Sequence, residues 1–311
     1  MSRVTRALRA GAATGVGSLP HLDVGDAVEF SRFAQPDLPA APELPRRSAA
    51  ESMVTRCLDV TGEELDAEAH GGFVEFFEAL KDAPPVAAKV QAAGPLTLGL
   101  TLLDRGTPAP AAFSEGAERS AAMVERLMRR FERDLPHTEP VVFLDEPALT
   151  AWRAETMPWD REAAVDLLSG ALSSIDAVTG VHVCGDGDRR MAIEAGPDIV
   201  GFPVVPSVLE DGVALGRFLD GGGWLAWGVV PTDGPLGPRP DHSWNELVSL
   251  WCDLTRAGCD PVALRTQALV TPACGLAGHS EDQAVRILEM CVEIGERVRE
   301  QAVATRLSVG A

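Results

Sequence analysis

Short runs rich in Val, Ala and Leu alternate with stretches of helical periodicity along almost the whole chain, and this alternation limits the fold more than any single residue does. Eight such runs can be read, at residues 13–19, more weakly at 40–44, and at 86–92, 140–144, 179–184, 198–202, 224–230 and 264–271. Helical candidates lie between them at 23–33, 63–80, 114–134, 161–177, 243–257 and 280–299. A strand followed by a helix eight times over predicts a parallel sheet closed into a (β/α)8 (TIM) barrel, an α/β single domain over residues 1–311. Length alone would also permit two domains of roughly 150 residues each. However, no Ser/Gly linker, low-complexity tract or internal repeat divides the chain. A doubly wound dinucleotide-binding sheet is disfavoured because no G-x-G-x-x-G follows the first run. Ser280 with Gln283, and Ser114 with Glu115, mark expected helix starts. The proline-rich stretch 231–240 reads as a loop over the barrel mouth.

Charge narrows the partners. Twenty-seven Lys and Arg against 46 Asp and Glu give a net charge of −19, the wrong sign for a surface that neutralises nucleic-acid phosphates or anionic lipid. Neither nucleic acid nor a membrane is expected as a partner. The first twenty residues carry no apolar run of signal-peptide length, and no segment reaches the roughly 18 apolar residues of a membrane span. Six cysteines are too few for a disulfide scaffold, so buried thiols or metal ligands in a reducing, cytoplasmic compartment are expected.

In a barrel of this kind the chemistry sits where strands end. The first run ends in Gly17-Ser18-Leu19-Pro20, the fourth in Asp145-Glu146-Pro147, the fifth in His182-Val183-Cys184 and the eighth in Thr271-Pro272-Ala273-Cys274-Gly275. His182 and Cys184, two apart on a strand, point to the same side of the sheet. Imidazole with thiolate suits zinc, and Cys274 can close on the same ion from across the mouth. The plainer alternative is that both cysteines are small buried residues and His182 a satisfied histidine. Cys57, Cys252, Cys259 and Cys291 fall in helical stretches or beside a turn and read as packing residues. Asp145 and Glu146 are adjacent, so only one carboxylate can face the mouth, where it would pair with a ligand ammonium group. Ser18 and the amides around it are candidate donors to an anionic group.

Gly17-Ser18-Leu19-Pro20, Gly94-Pro95-Leu96-Thr97, Leu144-Asp145-Glu146-Pro147-Ala148-Leu149, His182-Val183-Cys184 and Pro272-Ala273-Cys274-Gly275-Leu276 together resemble, in order, the catalytic domain of cobalamin-independent methionine synthase. The chain is most similar to the short single-domain relatives in the wider methionine synthase and uroporphyrinogen decarboxylase superfamily. The resemblance spans about residues 13–290. It implies a methyltransferase on a (β/α)8 barrel with a Zn2+ ion held by His182, Cys184 and Cys274. It also implies homocysteine as the methyl acceptor, with Asp145 and Glu43 at its amino group, Ser18 at its carboxylate and Glu146 a further substrate-binding residue.

Two departures from the family pattern are visible. The family's fourth ligand, a glutamate, falls at Pro203, which cannot bind metal; water or substrate, or Asp186, Asp188 or His279, would take its place. The family's proton-donor histidine is also missing, because the seventh run continues into Pro231-Thr232-Asp233, leaving Asp233 as the nearest catalytic substitute. A methyl on folate N5 leaves only when that nitrogen is protonated, whereas methyl on a corrinoid cobalt needs no acid. Methylcobalamin or a corrinoid protein is therefore the expected donor, with methyltetrahydrofolate second. Transfer to another thiol such as coenzyme M, or a non-catalytic metal- or corrinoid-binding barrel, are the alternatives.

Overall fold

The computed structural model describes residues 53–58, 62, 64–65, 71–81, 84–153, 159–232, 234, 236–237, 239–276, 279 and 281–309. Among these, two helices, α1 (Met53–Leu58) and α2 (Gly71–Lys81), precede a six-stranded sheet. The strands are β1 (Ala87–Ala93), β2 (Glu139–Asp145), β3 (Val178–His182), β4 (Ile199–Pro203), β5 (Trp224–Val230) and β6 (Ala268–Pro272). They pair in chain order and every pairing is parallel. Among the described residues the sheet is an open half-barrel, not a closed eight-stranded one. The runs 13–19 and 40–44, expected as the first two strands, and the helix expected at 23–33 lie outside the described residues.

Helices cover the outer face. They are α3 (Pro95–Asp104), α4 (Ala109–Asp134), α5 (Leu149–Arg153), α6 (Arg161–Ser173), α7 (Arg189–Glu194), α8 (Gly212–Asp220), α9 (Asp241–Arg256), α10 (Ala263–Thr266) and α11 (Glu281–Val309). A 3-10 turn at Pro206–Asp211 leads into α8. Every residue of β1 and β5 is buried, as expected for a parallel sheet covered on both faces. Strand alternation sorts the side chains into two cores. Val142, Leu144, Val181, Val200 and Trp227 face the helices, whereas Ala87, Val141, Phe143, Val178, Ile199, Trp224, Ala226 and Leu269 form a smaller cluster on the other, inner face. Helix α4 buries Phe113, Gly116, Ser120, Met123, Val124, Leu127 and Phe131, the three- and four-residue spacing of an amphipathic stripe.

Several boundaries differ from the sequence expectation for identifiable reasons. The long helix begins at Ala109, directly after Pro108, so Ser114 lies inside it rather than capping it. Helix α6 is capped by Asp160, whose side chain accepts from Ala163 N, and ends at Ser173. Residues 263–266 form a short helix, so the last strand starts only at Ala268. Helix α3 is not among the expected helices; its Pro95 sits in the first turn, where proline is favoured because its missing N–H would have no partner.

Candidate metal centre

The strand register draws one layer across the inner face: Ala93 opposite Asp145, Asp145 opposite His182, His182 opposite Gly201, and Gly201 opposite Ala226. His182 is the last residue of β3 and Cys184 follows two residues on. Cys274 follows β6, on the far side of the half-barrel. The ligand atoms of His182, Cys184 and Cys274 all lie within 4.8 Å of one another. His182 and Cys184 are half-buried and Cys274 is exposed, so the cluster opens outward.

Close backbone approaches make this convergence possible. Ala273 N donates to Val230 O at 2.9 Å, laying the Cys274 loop over the end of β5. A Cβ on Gly228 would sit 2.8 Å from Ala273 Cα, so only glycine fits beneath that loop. A Cβ on Gly201 would lie 3.5 Å from His182 Nδ1, close to the imidazole.

Contact between the two thiols shifts them in opposite directions. The hydrogen bond with Cys184, then that with His182, pulls the Cys274 thiol down to about 4. The same contact with Cys274, together with burial and the Asp145 charge, pushes the Cys184 thiol up. A thiolate paired with a neighbouring imidazole and a second thiol is a soft donor set, and it fits Zn2+ in a site with three protein ligands. Among the described residues no fourth His, Cys, Asp or Glu joins the group.

The two adjacent carboxylates diverge as alternation requires. Asp145 lies in the His182 layer, and its charge acts on Cys184 and on buried Lys89. Glu146, expected as a substrate-binding residue, is instead fully buried with both oxygens engaged. Leu96 N donates to Oε1 at 2.9 Å; Thr97 N and Thr97 Oγ1 donate to Oε2 at 2.8 and 2.6 Å. These are first-turn amides of α3, so Glu146 caps that helix from the loop just after β2. Burial nevertheless pushes its carboxyl up to about 7. Gly94-Pro95-Leu96-Thr97 and Asp145-Glu146-Pro147 are thus two halves of one lock, a role the sequence reading missed.

Ser18, Glu43 and Asp233 lie outside the described residues. Of the candidates for a fourth ligand, Asp186 pairs with Arg153 and Arg189, while Asp188 caps α7 by accepting from Met191 N. Pro203 closes β4 opposite Gly228, and His279 donates its amide to Leu276 O. Cys57, Cys259 and Cys291 are buried, in keeping with packing, but Cys252 is exposed on α9.

The inner-face cluster at the C-terminal ends of parallel strands defines a TIM-barrel-like α/β protein with a candidate metal site. No family model matches the chain, and no curated protein matches it. Among solved structures, a B12-independent methionine synthase from Shewanella sp. W3-18-1, in complex with selenomethionine, superposes with a TM-score of 0.65 at 14% identity, covering 94% of this chain and 99% of the other. That likeness establishes the shared fold. An apo 3-keto-D-glucoside 4-epimerase from E. coli matches at a TM-score of 0.41 and 11% identity, over 80% of this chain and 96% of the other, too remote to carry an argument. Among the described residues no helix is long and apolar enough to cross a membrane.

Proposed function

We propose that this chain is a zinc-dependent thiol S-methyltransferase that converts homocysteine to methionine, built on a (β/α)8 barrel. The observation that carries the reading is the convergence of one imidazole and two thiols, from the ends of β3 and β6, to within 4.8 Å. The likeness in fold to a B12-independent methionine synthase is in keeping with it.

His182, Cys184 and Cys274 are the ligands. Zn2+, when bound, supplies the Lewis acidity that keeps an incoming thiol as its thiolate near neutral pH, well below the usual thiol pKa of about 8.5. Asp145, one strand from His182, accepts the amino group of homocysteine. Ser18 holds its carboxylate, with Glu43 a second acidic contact. Holding acceptor and donor together contributes much of the acceleration.

The donor is methylcobalamin or a corrinoid protein, with methyltetrahydrofolate second. The carbon–sulfur bond forms as the cobalt–carbon bond breaks, and cobalt keeps the electron pair, so no acid is needed. A folate donor would need a proton at N5, and only Asp233 stands near the place of the family's histidine. In this respect the chain departs from its B12-independent structural neighbour.

The test uses zinc-loaded protein incubated with homocysteine and each donor, with methionine measured. About one zinc per chain, lost in Cys184→Ser, and methionine formed from methylcobalamin are the expected results. Turnover with folate and none with methylcobalamin refutes the donor assignment. Protein that takes up no zinc, or forms no methionine from either donor, refutes the reading.

A further inference from the structure

We propose that Asp186 is the positioning residue of the metal centre, fixing the turn that carries Cys184 toward Cys274; this rests on the zinc site proposed above. Cys184 is followed by Gly185, whose φ of +54° is a left-handed conformation that favours glycine. That turn delivers Asp186 to a clamp drawn from three consecutive strand ends. Ser207 Oγ, from the turn after β4, donates to Asp186 Oδ1 at 2.6 Å, and Arg189 Nη1 reaches the same oxygen at 3.1 Å. Arg153, on α5 after β2, places Nε 3.2 Å from Oδ2.

The clamp has a rigid floor. Arg189 is completely buried and its Nε is 2.7 Å from Oδ2 of Asp211, itself buried. Its Nη2 donates to Ser207 Oγ at 3.2 Å, and the guanidinium lies 5.9 Å from the Phe202 ring centre on β4. Arg190 Nε holds the other Asp211 oxygen at 2.8 Å. The next turn is tied as well, since Asp188 N donates to Leu149 O at 3.1 Å.

A ligand thiol on a tight glycine turn has its direction set by the turn's far end. Here that end is Asp186, whose side chain is 55% exposed, so removing it opens no hole in the core. Outer groups that orient a metal ligand change metal affinity by roughly 10- to 100-fold.

The experiment is a chelator competition for zinc on the full chain, with thermal unfolding of the zinc-free protein measured alongside. Asp186→Ala is expected to weaken zinc binding at least about tenfold. The zinc-free midpoint is expected to move by no more than about 3 °C. Asp186→Asn, whose amide oxygen still accepts from Ser207 and Arg189, is expected to recover most of the affinity. Cobalt-loaded Asp186→Ala is expected to shift its visible absorption bands, reporting an altered ligand geometry. Glu194→Ala, which breaks the 2.6 Å pair with Arg161 at the far end of α7, is the control and is expected to leave zinc affinity unchanged. Affinity within twofold of wild type in Asp186→Ala, or a loss matched by collapse of the zinc-free midpoint, overturns the positioning role. Wild type that binds no zinc overturns both this role and the proposed function. Wild type that binds zinc but forms no methionine removes the function alone.

Discussion

Gly94→Ala tests the lock that joins β1, α3 and the carboxylate loop, because the structure fixes both the sign and the size of its effect. Gly94 has φ −76° and ψ 166°, a conformation alanine adopts freely. On backbone grounds alone the substitution would stabilise the fold by about 0.4–1 kcal/mol, through lost freedom in the unfolded chain. The added Cβ, however, would lie 2.2 Å from Glu146 Oε1 and 2.4 Å from Cδ. Glu146 is fully buried and holds three hydrogen bonds, so it has no open space to enter.

Overpacking of this kind costs about 1–3 kcal/mol. Breaking a bond to a buried charged acceptor costs about 1.5–3 kcal/mol more. A net loss of about 3 kcal/mol follows. Urea unfolding at pH 8, where the carboxylate is mostly ionised, followed by fluorescence of the six tryptophans, measures it. Glu146→Ala alone is also expected to lose about 3 kcal/mol, because the Leu96 and Thr97 donors lose their acceptor. With Glu146 already truncated, Gly94→Ala should cost nothing further, giving a coupling of about 3 kcal/mol in the double-mutant cycle. Additive losses, or a Gly94→Ala protein as stable as wild type, would refute the lock.

The remaining predictions concern the rest of the inner face. Gly228→Ala should displace the Cys274 loop, whose Ala273 Cα lies 2.8 Å from the added Cβ, and weaken zinc binding in a chelator assay more than it lowers the zinc-free midpoint. Lys89, buried beside Gln91 and 4.7 Å from the Phe143 ring centre, is held down to about 8 by burial, against the opposing field of Asp145. Below pH 8 both folded and unfolded chains carry that proton and the cost of the buried charge is full, so stability should rise with pH from about 8 to 10.5, by up to roughly 3 kcal/mol. The wild-type curve minus that of Lys89→Met isolates this rise, and the absence of tyrosine removes one competing titration in the range. Asp145→Asn should raise KM for homocysteine with less effect on zinc content, as steady-state assays and metal analysis of one preparation would show.

The alternation of runs exposed the sheet in advance: the expected segments at 86–92, 140–144, 179–184, 198–202 and 224–230 each match a strand to within two residues at either end. Parallel strands buried on both faces are continuous apolar runs bounded by turn residues, so they stand out. The short helices α7 and α8 did not. Helix α7 is two turns or less with two adjacent arginines, and α8 carries two glycines, so neither shows a periodic stripe in sequence. The His182 and Cys184 pairing was expected from a strand's period of two, although β3 ends at His182 and Cys184 lies just beyond it. Cys274 was a candidate from its place at the end of the last run, but the sequence could not show that its arrival depends on Gly228 being small enough for one loop to lie over another strand.

The Asp145-Glu146-Pro147 triplet marks where sequence reasoning runs out. Alternation dictates that adjacent carboxylates face opposite sides, but which one faces the inner layer depends on register, and a shift of one residue would exchange them. The register is fixed elsewhere, by Ala93 opposite Asp145 and Asp145 opposite His182, and by Glu146 N donating to His182 O at 2.9 Å. Because the same peptide that presents Asp145 also anchors Glu146 on α3, the carboxylate proposed to meet the acceptor is only as well placed as the one buried behind it. A substitution at Thr97, or at Gly94, whose N–H donates to Asp145 O at 3.0 Å, should therefore impair acceptor binding as well as stability without touching the metal ligands. Zinc affinity should be the last property to fall, since Cys184 and Cys274 are held by other loops.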